Sequence, residues 1–276
     1  MKKKKRRRSL LIILLIIVLL WFFNNFSVKL TKQTVYSGKI SNDIKIAVLS
    51  DLHGVRLSKN NHRITDMISR NEPDLIFVLG DMYTKQHNRQ IDVAINLIQS
   101  LSQIADTYVV TGEHDTDDEY IDKLNSINRV HLMSYKEENI TVNGNNITIY
   151  GIDNVYFTPN FDLHNEFNEP DQSRYNILLS HQPETEHFDN FGVDMIFSGD
   201  THGGMIRLPV FGPAYYEGYI LPKLTFSGRM TDKGLFELEN NKQIFVTSGI
   251  GNYPVPMRFL NRPEVCIITL KKEIAQ

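Results

Sequence analysis

The sequence has little of three features that would point to other classes of protein. It contains one cysteine, Cys266, so no disulfide can form within the chain and no thiolate cluster is available to bind a metal. It contains no internal repeat. Basic residues are scarce after the N-terminus: removing the seven consecutive basic residues 2–8 from 30 leaves 23 against 32 acidic residues, a net charge of −9. So acidic a body argues against a nuclease and against any partner nucleic acid held by its phosphates.

The longest apolar run lies directly after those basic residues. Fourteen uncharged apolar residues, 10–23, end in Trp21, Phe22 and Phe23. A basic flank, an apolar run and interfacial aromatic residues are typical of a membrane helix whose N-terminus lies in the cytoplasm. The run is shorter than the ~20 residues of a typical span, and only its neighbours, residue 9 and residues 24–28, bring it near the lower limit.

Two interpretations of this segment are open. A cleaved signal peptide has an apolar region of this length, but residues 22–26 are bulky and form no small-x-small cleavage site. We therefore expect an uncleaved anchor. The expected organisation is a cytoplasmic flank and membrane anchor over 1–28, a linker and entry strand over 29–43, and one domain over 44–276. The protein would then be a single-pass protein of the cell membrane with its domain outside the cytoplasm.

The rest of the chain alternates apolar runs with amphipathic segments. Six apolar runs predict buried strands, at 44–49, 74–79, 107–111, 176–180, 194–198 and 265–270. Helices are predicted over 60–70, 91–101 and 118–127. Asn-rich turns at 143–146 and 240–242 predict two hairpins in the second half. This pattern predicts an α/β fold with two packed sheets flanked by helices.

Carboxylate and imidazole side chains follow five of these strands. They are Asp51 and His53, Asp81, Glu113 and His114, His181, and Asp200 and His202. Ligand sites in open α/β sheets lie beyond the carboxyl ends of the strands, so we expect these side chains to meet. Oxygen and imidazole ligands without thiolate suit Mn, Fe, Zn or Mg. One tetrahedral ion cannot use them all, which predicts two divalent ions that share a carboxylate and clamp a phosphoryl group.

The order of these motifs resembles the calcineurin-like metallophosphoesterases over residues 44–270. The matching elements are Asp-x-His, Gly-Asp, Gly-x-His-Asp, a single His, and Gly-x-Thr-His-Gly-Gly. Segments 201–209, 248–251 and 256–259 look like the branch of membrane-associated bacterial phosphodiesterases. The resemblance implies a four-layer αββα sandwich of two mixed β-sheets. It also implies hydrolysis of a phosphodiester by a hydroxide that two metal ions activate.

The resemblance further implies a role for each residue of the motifs. The implied ligands are Asp51, His53 and His202 for the first metal, Asp81 as the bridge, and Glu113, His181 and Asp200 for the second metal. His114 would stabilise the transition state or protonate the leaving oxygen. Asp115 would orient the ring of His114.

Two residues depart from the family pattern, and both belong to the second metal. Glu113 stands where the family usually has Asn, and Asp200 stands where it usually has His. The added negative charge favours hard ions, Mn²⁺ first and then Mg²⁺. It also supports an alternative function, a non-catalytic or weakly active surface module that binds a metal or phosphate ligand. For the enzyme, the expected substrate is a phosphorylated small molecule or a lipid or envelope phosphodiester.

Overall fold

A computed structural model of the chain describes residues 2–153, 161–188, 190–216, 218–225, 228 and 230–273. Its helices are α1 (Lys2–Phe26), α2 (His62–Ser69), α3 (Ile91–Ser102), α4 (Asp118–Asn125), α5 (Thr185–Phe188) and α6 (Pro222–Thr225). Its first eight strands are β1 (Lys29–Ser37), β2 (Ile44–Leu49), β3 (Leu75–Leu79), β4 (Asp106–Val110), β5 (Val130–Leu132), β6 (Lys136–Val142), β7 (Asn145–Gly151) and β8 (Tyr175–Leu179). The others are β9 (Met195–Ser198), β10 (Arg207–Leu208), β11 (Gly212–Pro213), β12 (Tyr215–Tyr216), β13 (Tyr219–Ile220), β14 (Gly234–Glu237), β15 (Gln243–Val246) and β16 (Glu264–Lys272).

The first sheet has the strand order β1-β16-β2-β3-β4-β5. Only the pairing of β16 with β2 is antiparallel, so the sheet is mixed. The edge strand β1 lies in the segment expected to be a linker and entry strand. Helices α2, α3 and α4 cover one face, where Ile68, Leu97 and Leu124 share a buried cluster with Val78 of β3.

The second sheet has the order β14-β15-β9-β8-β7-β6 and is also mixed. The main core lies between the two sheets, where the rings of Phe77 and Phe197 meet edge to face at 5.2 Å. The outer face of the second sheet is covered by a third apolar cluster that includes Phe188 of α5. The layers are therefore helices, sheet, sheet and short helices, which confirms the predicted αββα sandwich.

All six predicted strands are present, each within two residues of its expected ends, and both predicted hairpins form. The helix predicted over 60–70 begins with a 3₁₀ turn, Lys59–Asn61, and continues as α2. The strand β5 was not predicted, because it has three residues, all of them half-buried, and no apolar run. The two-residue strands β10 to β13 are too short to leave a periodic pattern.

Helix α1 contains the apolar run and continues beyond it. Its segment Arg7–Phe26, 20 residues, is long and apolar enough to cross a membrane. At 1.5 Å per residue, such a helix spans about 30 Å, the thickness of a bilayer's hydrocarbon core. The end of α1 is bonded to the body: the side chain of Asn25 donates to the Arg258 carbonyl at 3.2 Å and accepts from the Arg258 amide at 2.8 Å. The last turn of the helix is therefore part of the folded domain.

Replacing Asn25 by alanine should lower the free energy of unfolding by about 1–3 kcal/mol, because the buried backbone groups of Arg258 would lose their partners. Thermal unfolding of the full-length protein in detergent would measure this. Asn24→Ala is the matched control. Asn24 is also buried, but among the described residues its side chain bonds only the Leu20 carbonyl of its own helix. Equal losses in the two variants would contradict the bridging role of Asn25.

Candidate metal centre

The predicted site residues all follow strands of the two packed sheets. Asp51 and His53 follow β2, Asp81 follows β3, Glu113 and His114 follow β4, His181 follows β8, and Asp200 and His202 follow β9. The turns after β2 and β3 are tied together by their backbones, since the amides of Asp51 and His53 donate to the carbonyls of Gly80 and Asp81. The pairing of adjacent strands thus extends into the residues that carry the functional side chains.

Asp81 lies in the middle of the cluster. Its Oδ2 atom is 3.4 Å from Nε2 of His181 and 3.7 Å from Nε2 of His53. Nδ1 of His181 donates to the Leu79 carbonyl at 2.6 Å, so its Nε2 faces the carboxylates. Burial alone would raise the pKa of Asp81, but His181 and His53 outweigh it and hold that pKa well below its ordinary value.

A second part of the cluster is formed by Asp51, His53 and His202. Nε2 of His202 lies 3.7 Å from Oδ1 of Asp51 and 3.3 Å from Nε2 of His53. Three groups of ligand atoms, each within 4.8 Å of one another, result: Asp51, His53 and His202; His53, Asp81 and His114; and Asp51, Asp81 and His181. Because Asp51, His53 and Asp81 each belong to two groups, the groups merge into one connected site.

The chemistry of this cluster fits divalent cations. Oδ2 of Asp51 and Nε2 of His181 are buried, and neither has a hydrogen-bond partner among the described residues. Burial raises the pKa of Asp51 to about 7. Burial would lower the pKa of His181, but the surrounding aspartates outweigh it and hold that pKa well above its ordinary value. Buried ligand atoms that lack a hydrogen bond, together with concentrated negative charge, are what a bound cation would satisfy.

Glu113 and Asp200 lie at the edge of the cluster. The Glu113 side chain is 44% exposed, and its Oε1 is 3.6 Å from Nε2 of His114. The Asp200 side chain is 36% exposed, and its Oδ1 is 3.6 Å from Nε2 of His181. Neither belongs to the three ligand groups found among the described residues. The structure thus brings together five of the seven predicted metal ligands and leaves the two atypical acids at the rim.

His114 and Asp115 have different surroundings from each other. Nδ1 of His114 accepts from the Lys85 amide at 3.1 Å, so the proton of the neutral ring sits on Nε2, which is 4.0 Å from Oδ2 of Asp81. Asp115 was expected to orient that ring. Instead its buried carboxylate accepts from the amides of Met82 at 3.0 Å and Gly112 at 3.1 Å. Burial, with the charge of Asp81 next, raises the pKa of Asp115 to about 8.

Several residues of the cluster have backbone conformations that are unfavourable for L-amino acids. Its members with positive φ, between 45° and 67°, are Asp51, His53, Asp81, Asp200 and His202. Each such residue costs about 1–3 kcal/mol and persists only where the surrounding structure enforces it. Close packing adds a further constraint, because a Cβ on Gly112 would overlap with Oδ1 of Asp81. Glycine at position 112 therefore leaves the space that the Asp81 carboxylate occupies.

Two residues beside the cluster were not predicted as part of it. The ring of Tyr253 stacks on His53 with centroids 4.5 Å apart. Arg258 is buried, donates to the carbonyls of Ser248 and Gly251, and places Nη2 3.4 Å from Nδ1 of His202. Burial, and then the charge of Arg258, hold the pKa of His202 well below its ordinary value, which keeps the ring neutral as a metal ligand must be. Segment 256–259 is part of the family resemblance, but no sequence pattern indicated that the Arg258 side chain would be buried beside His202.

Comparison with known proteins shows the family to which the chain belongs. The profile of the calcineurin-like phosphoesterase family matches residues 44–204. An uncharacterized metallophosphoesterase of Aquifex aeolicus is 26% identical over 258 residues, which cover 89% of this chain and 93% of that protein. A transmembrane protein with metallophosphoesterase domain of Danio rerio is 27% identical over 84% of this chain and 54% of its own length. The solved structure of Haemophilus influenzae NAD nucleotidase aligns with a TM-score of 0.46 and 17% identity, over 74% of this chain and 44% of that one.

Gly112→Ala should displace the carboxylate of Asp81 and weaken metal binding by about 10–100-fold, the range found when the support of a ligand is removed. Calorimetric titration of the metal-free protein with Mn²⁺ would measure the affinity. Gly38→Ala is the matched control, because a Cβ there would meet only Oε2 of Glu273 at 3.9 Å. An unchanged Mn²⁺ affinity in the Gly112 variant would show that Asp81 does not serve as a ligand in this position.

Proposed function

Because this chain belongs to the calcineurin-like phosphoesterase family, we propose that it is a membrane-anchored, metal-dependent phosphoesterase that hydrolyses phosphodiesters. The observation that carries the proposal is the cluster of Asp51, His53, Asp81, His181 and His202, of which the first four are buried. Within it, two ligand atoms have no hydrogen-bond partner among the described residues. The preference for a diester rests on the resemblance of the motifs alone.

The cluster offers ligands for two divalent ions, for which we propose Mn²⁺. Asp51, His53 and His202 would hold one ion, and His181 the other, with Asp81 between them. Asp200 and Glu113 would add oxygen ligands to the second ion from the rim. When bound, the two ions supply an acidified water as the nucleophile and positive charge for the phosphoryl oxygens.

The role of His114 follows from its tautomer. The Lys85 amide occupies Nδ1, so Nε2 carries the proton and faces the cluster. An N–H in this position can stabilise charge on a phosphoryl oxygen or transfer its proton to the leaving oxygen.

Beside the cluster, a cavity of 750 Å³ lined by Asp200, His202, Met205 and Tyr215 is large enough to hold the organic part of a substrate.

Membrane attachment is supported by α1 and by the similarity to the Danio rerio transmembrane protein. The basic residues 2–8, which precede the apolar run of α1, favour a single pass that leaves the domain outside the cytoplasm. A site in that place would meet phosphorylated small molecules or lipid and envelope phosphodiesters, which we propose as substrates.

Metal removal tests the enzyme directly. Full-length protein stripped with EDTA should lose hydrolysis of bis(p-nitrophenyl) phosphate and regain it most strongly with Mn²⁺ in a series with Mg²⁺, Zn²⁺ and Fe²⁺. His114→Ala should lower kcat by about 10²–10⁴-fold while the metal content stays unchanged, because it removes a proton donor. His62→Ala is the control, since His62 is exposed and its ring bonds the Lys59 carbonyl. Absence of turnover with every metal would end the enzyme proposal.

The alternative function is a surface module that binds metal or phosphate without catalysis, and the exposure of Glu113 favours it. The double variant Glu113→Asn, Asp200→His removes two negative charges from the second metal position. If those charges limit the enzyme, affinity for the second ion should rise by about tenfold or more, and phosphodiesterase activity should rise with it. Glu119→Asn with Asp92→His is the control, because it makes the same charge change at exposed residues bonded to Lys123. Activity that stays absent despite two bound ions would favour the surface module.

A further inference from the structure

The segment of residues 253–260, which we call the apolar segment, presents an uncharged apolar surface. Seven of its eight residues are exposed, and all seven are proline, methionine, aliphatic or aromatic residues. Val255 is 50% exposed, Phe259 46% and Leu260 53%. The one charged residue, Arg258, is buried. A contiguous apolar surface of this kind marks a site of interaction, since loops facing water normally expose polar side chains.

Helix α1 ends against the apolar segment. The indole N–H of Trp21 donates to the Pro256 carbonyl at 2.7 Å, and Asn25 bonds both backbone groups of Arg258. An apolar groove of 340 Å³ lies between the two elements, lined by Ile17, Leu20 and Trp21 on the helix and by residues 256–259. The apolar segment is therefore fixed at the level where the membrane-length helix leaves its apolar run.

An arginine beside the end of α1 has the position expected for the interface between membrane and water. The guanidinium of Arg262 donates to the Ser27 carbonyl at 3.0 Å and sits 4.3 Å from the ring centroid of Phe23. Tryptophan, phenylalanine and arginine together at the end of an apolar helix are typical of the interfacial layer of a bilayer.

Two residues of the apolar segment, Tyr253 and Arg258, also contact the candidate metal centre. At one end, Tyr253 stacks on His53, and its ring lies 4.8 Å from that of His114. Further along, the guanidinium of Arg258 reaches His202. The surface that continues the end of α1 is therefore the same stretch of chain that borders the candidate metal ligands.

We propose that the apolar segment rests in the interfacial layer of the bilayer that α1 crosses, so that the metal centre is held at the membrane surface. The occupant of this surface is the lipid bilayer, because the segment is bonded to the end of the helix that enters it. The inference rests on the proposed membrane anchor and deepens the proposed function. A phosphoester carried by a lipid would reach the centre without leaving the membrane surface, whereas a dissolved one would gain nothing from this placement.

The contact can be tested without any activity measurement. Val255→Cys and Leu260→Cys, labelled with an environment-sensitive fluorophore in the full-length protein, would be placed in phosphatidylcholine vesicles. The native Cys266 is buried, which keeps the label at the introduced position. Nitroxide-bearing lipids should quench both labels strongly and aqueous iodide weakly. Asn240→Cys, in the exposed turn between β14 and β15, should show the reverse. Iodide quenching at 255 and 260 equal to that at 240 would overturn the proposal, and so would protection from both quenchers, which indicates a protein partner.

A second measurement addresses the substrate. The double variant Val255→Ser, Leu260→Ser should lose hydrolysis of a diacylglycerol p-nitrophenyl phosphodiester presented in those vesicles. It should keep the parent's hydrolysis of bis(p-nitrophenyl) phosphate in water, because Tyr253 and Arg258, the residues of the segment that contact His53 and His202, are unchanged. Unchanged hydrolysis of the lipid diester would overturn the link between the apolar segment and lipid substrates. If the parent protein hydrolyses neither compound, the proposed function fails while the quenching result still decides the membrane contact.

Discussion

The buried charge of Asp81 is the constraint on which the rest of the site depends. It follows β3 of the first sheet, yet its closest imidazole is His181, which follows β8 of the second. The other nitrogen of that ring donates to the Leu79 carbonyl, so one histidine ties the two sheets together beside the carboxylate. A buried carboxylate without such partners would be strongly destabilising, because its desolvation would have no compensation. The packing of the two sheets against each other and the positions of the candidate metal ligands are thus one structural requirement.

The backbone bears a cost for this arrangement. Asp51 and His53 after β2, and Asp81 after β3, adopt left-handed conformations that L residues avoid. Their amides and carbonyls still pair across the two turns, so the sheet enforces the strain rather than relieving it. A short turn of this kind ends the strand abruptly and presents several ligand atoms from few residues. Breaking a local conformational preference at a functional site, with the core supplying the stability, is the common compromise of enzymes.

Sequence patterns were sufficient to predict the buried strands and which residues lie at their ends. The apolar run at β3 predicts a buried strand because it is short and lies between Pro73 and Gly80. The ends of such strands predict that Asp51, Asp81 and His181 meet. The patterns could not show that Glu113 is more exposed than His114, since both residues directly follow β4. Only the folded structure places the Glu113 carboxylate at the rim of the cluster. They also could not find the true partners of Asp115, which are backbone amides that any residue could have supplied. Arg258, far along the chain, carried no spacing that tied it to His202.

The end of the apolar run shows how helix α1 and the candidate metal centre are connected. Asn24 and Asn25 look like the polar end of a span, yet α1 continues through them to Phe26. Their side-chain amides donate to the Leu20 and Trp21 carbonyls one turn earlier. Asn25 then has its remaining bonding capacity directed at the backbone of Arg258. That residue's guanidinium donates to the Ser248 and Gly251 carbonyls and lies beside His202. Arg258 is therefore bonded through its backbone to the end of α1 and through its side chain to the backbone beside the cluster. A displacement of the helix end would move Arg258 and, with it, the guanidinium that lies beside His202.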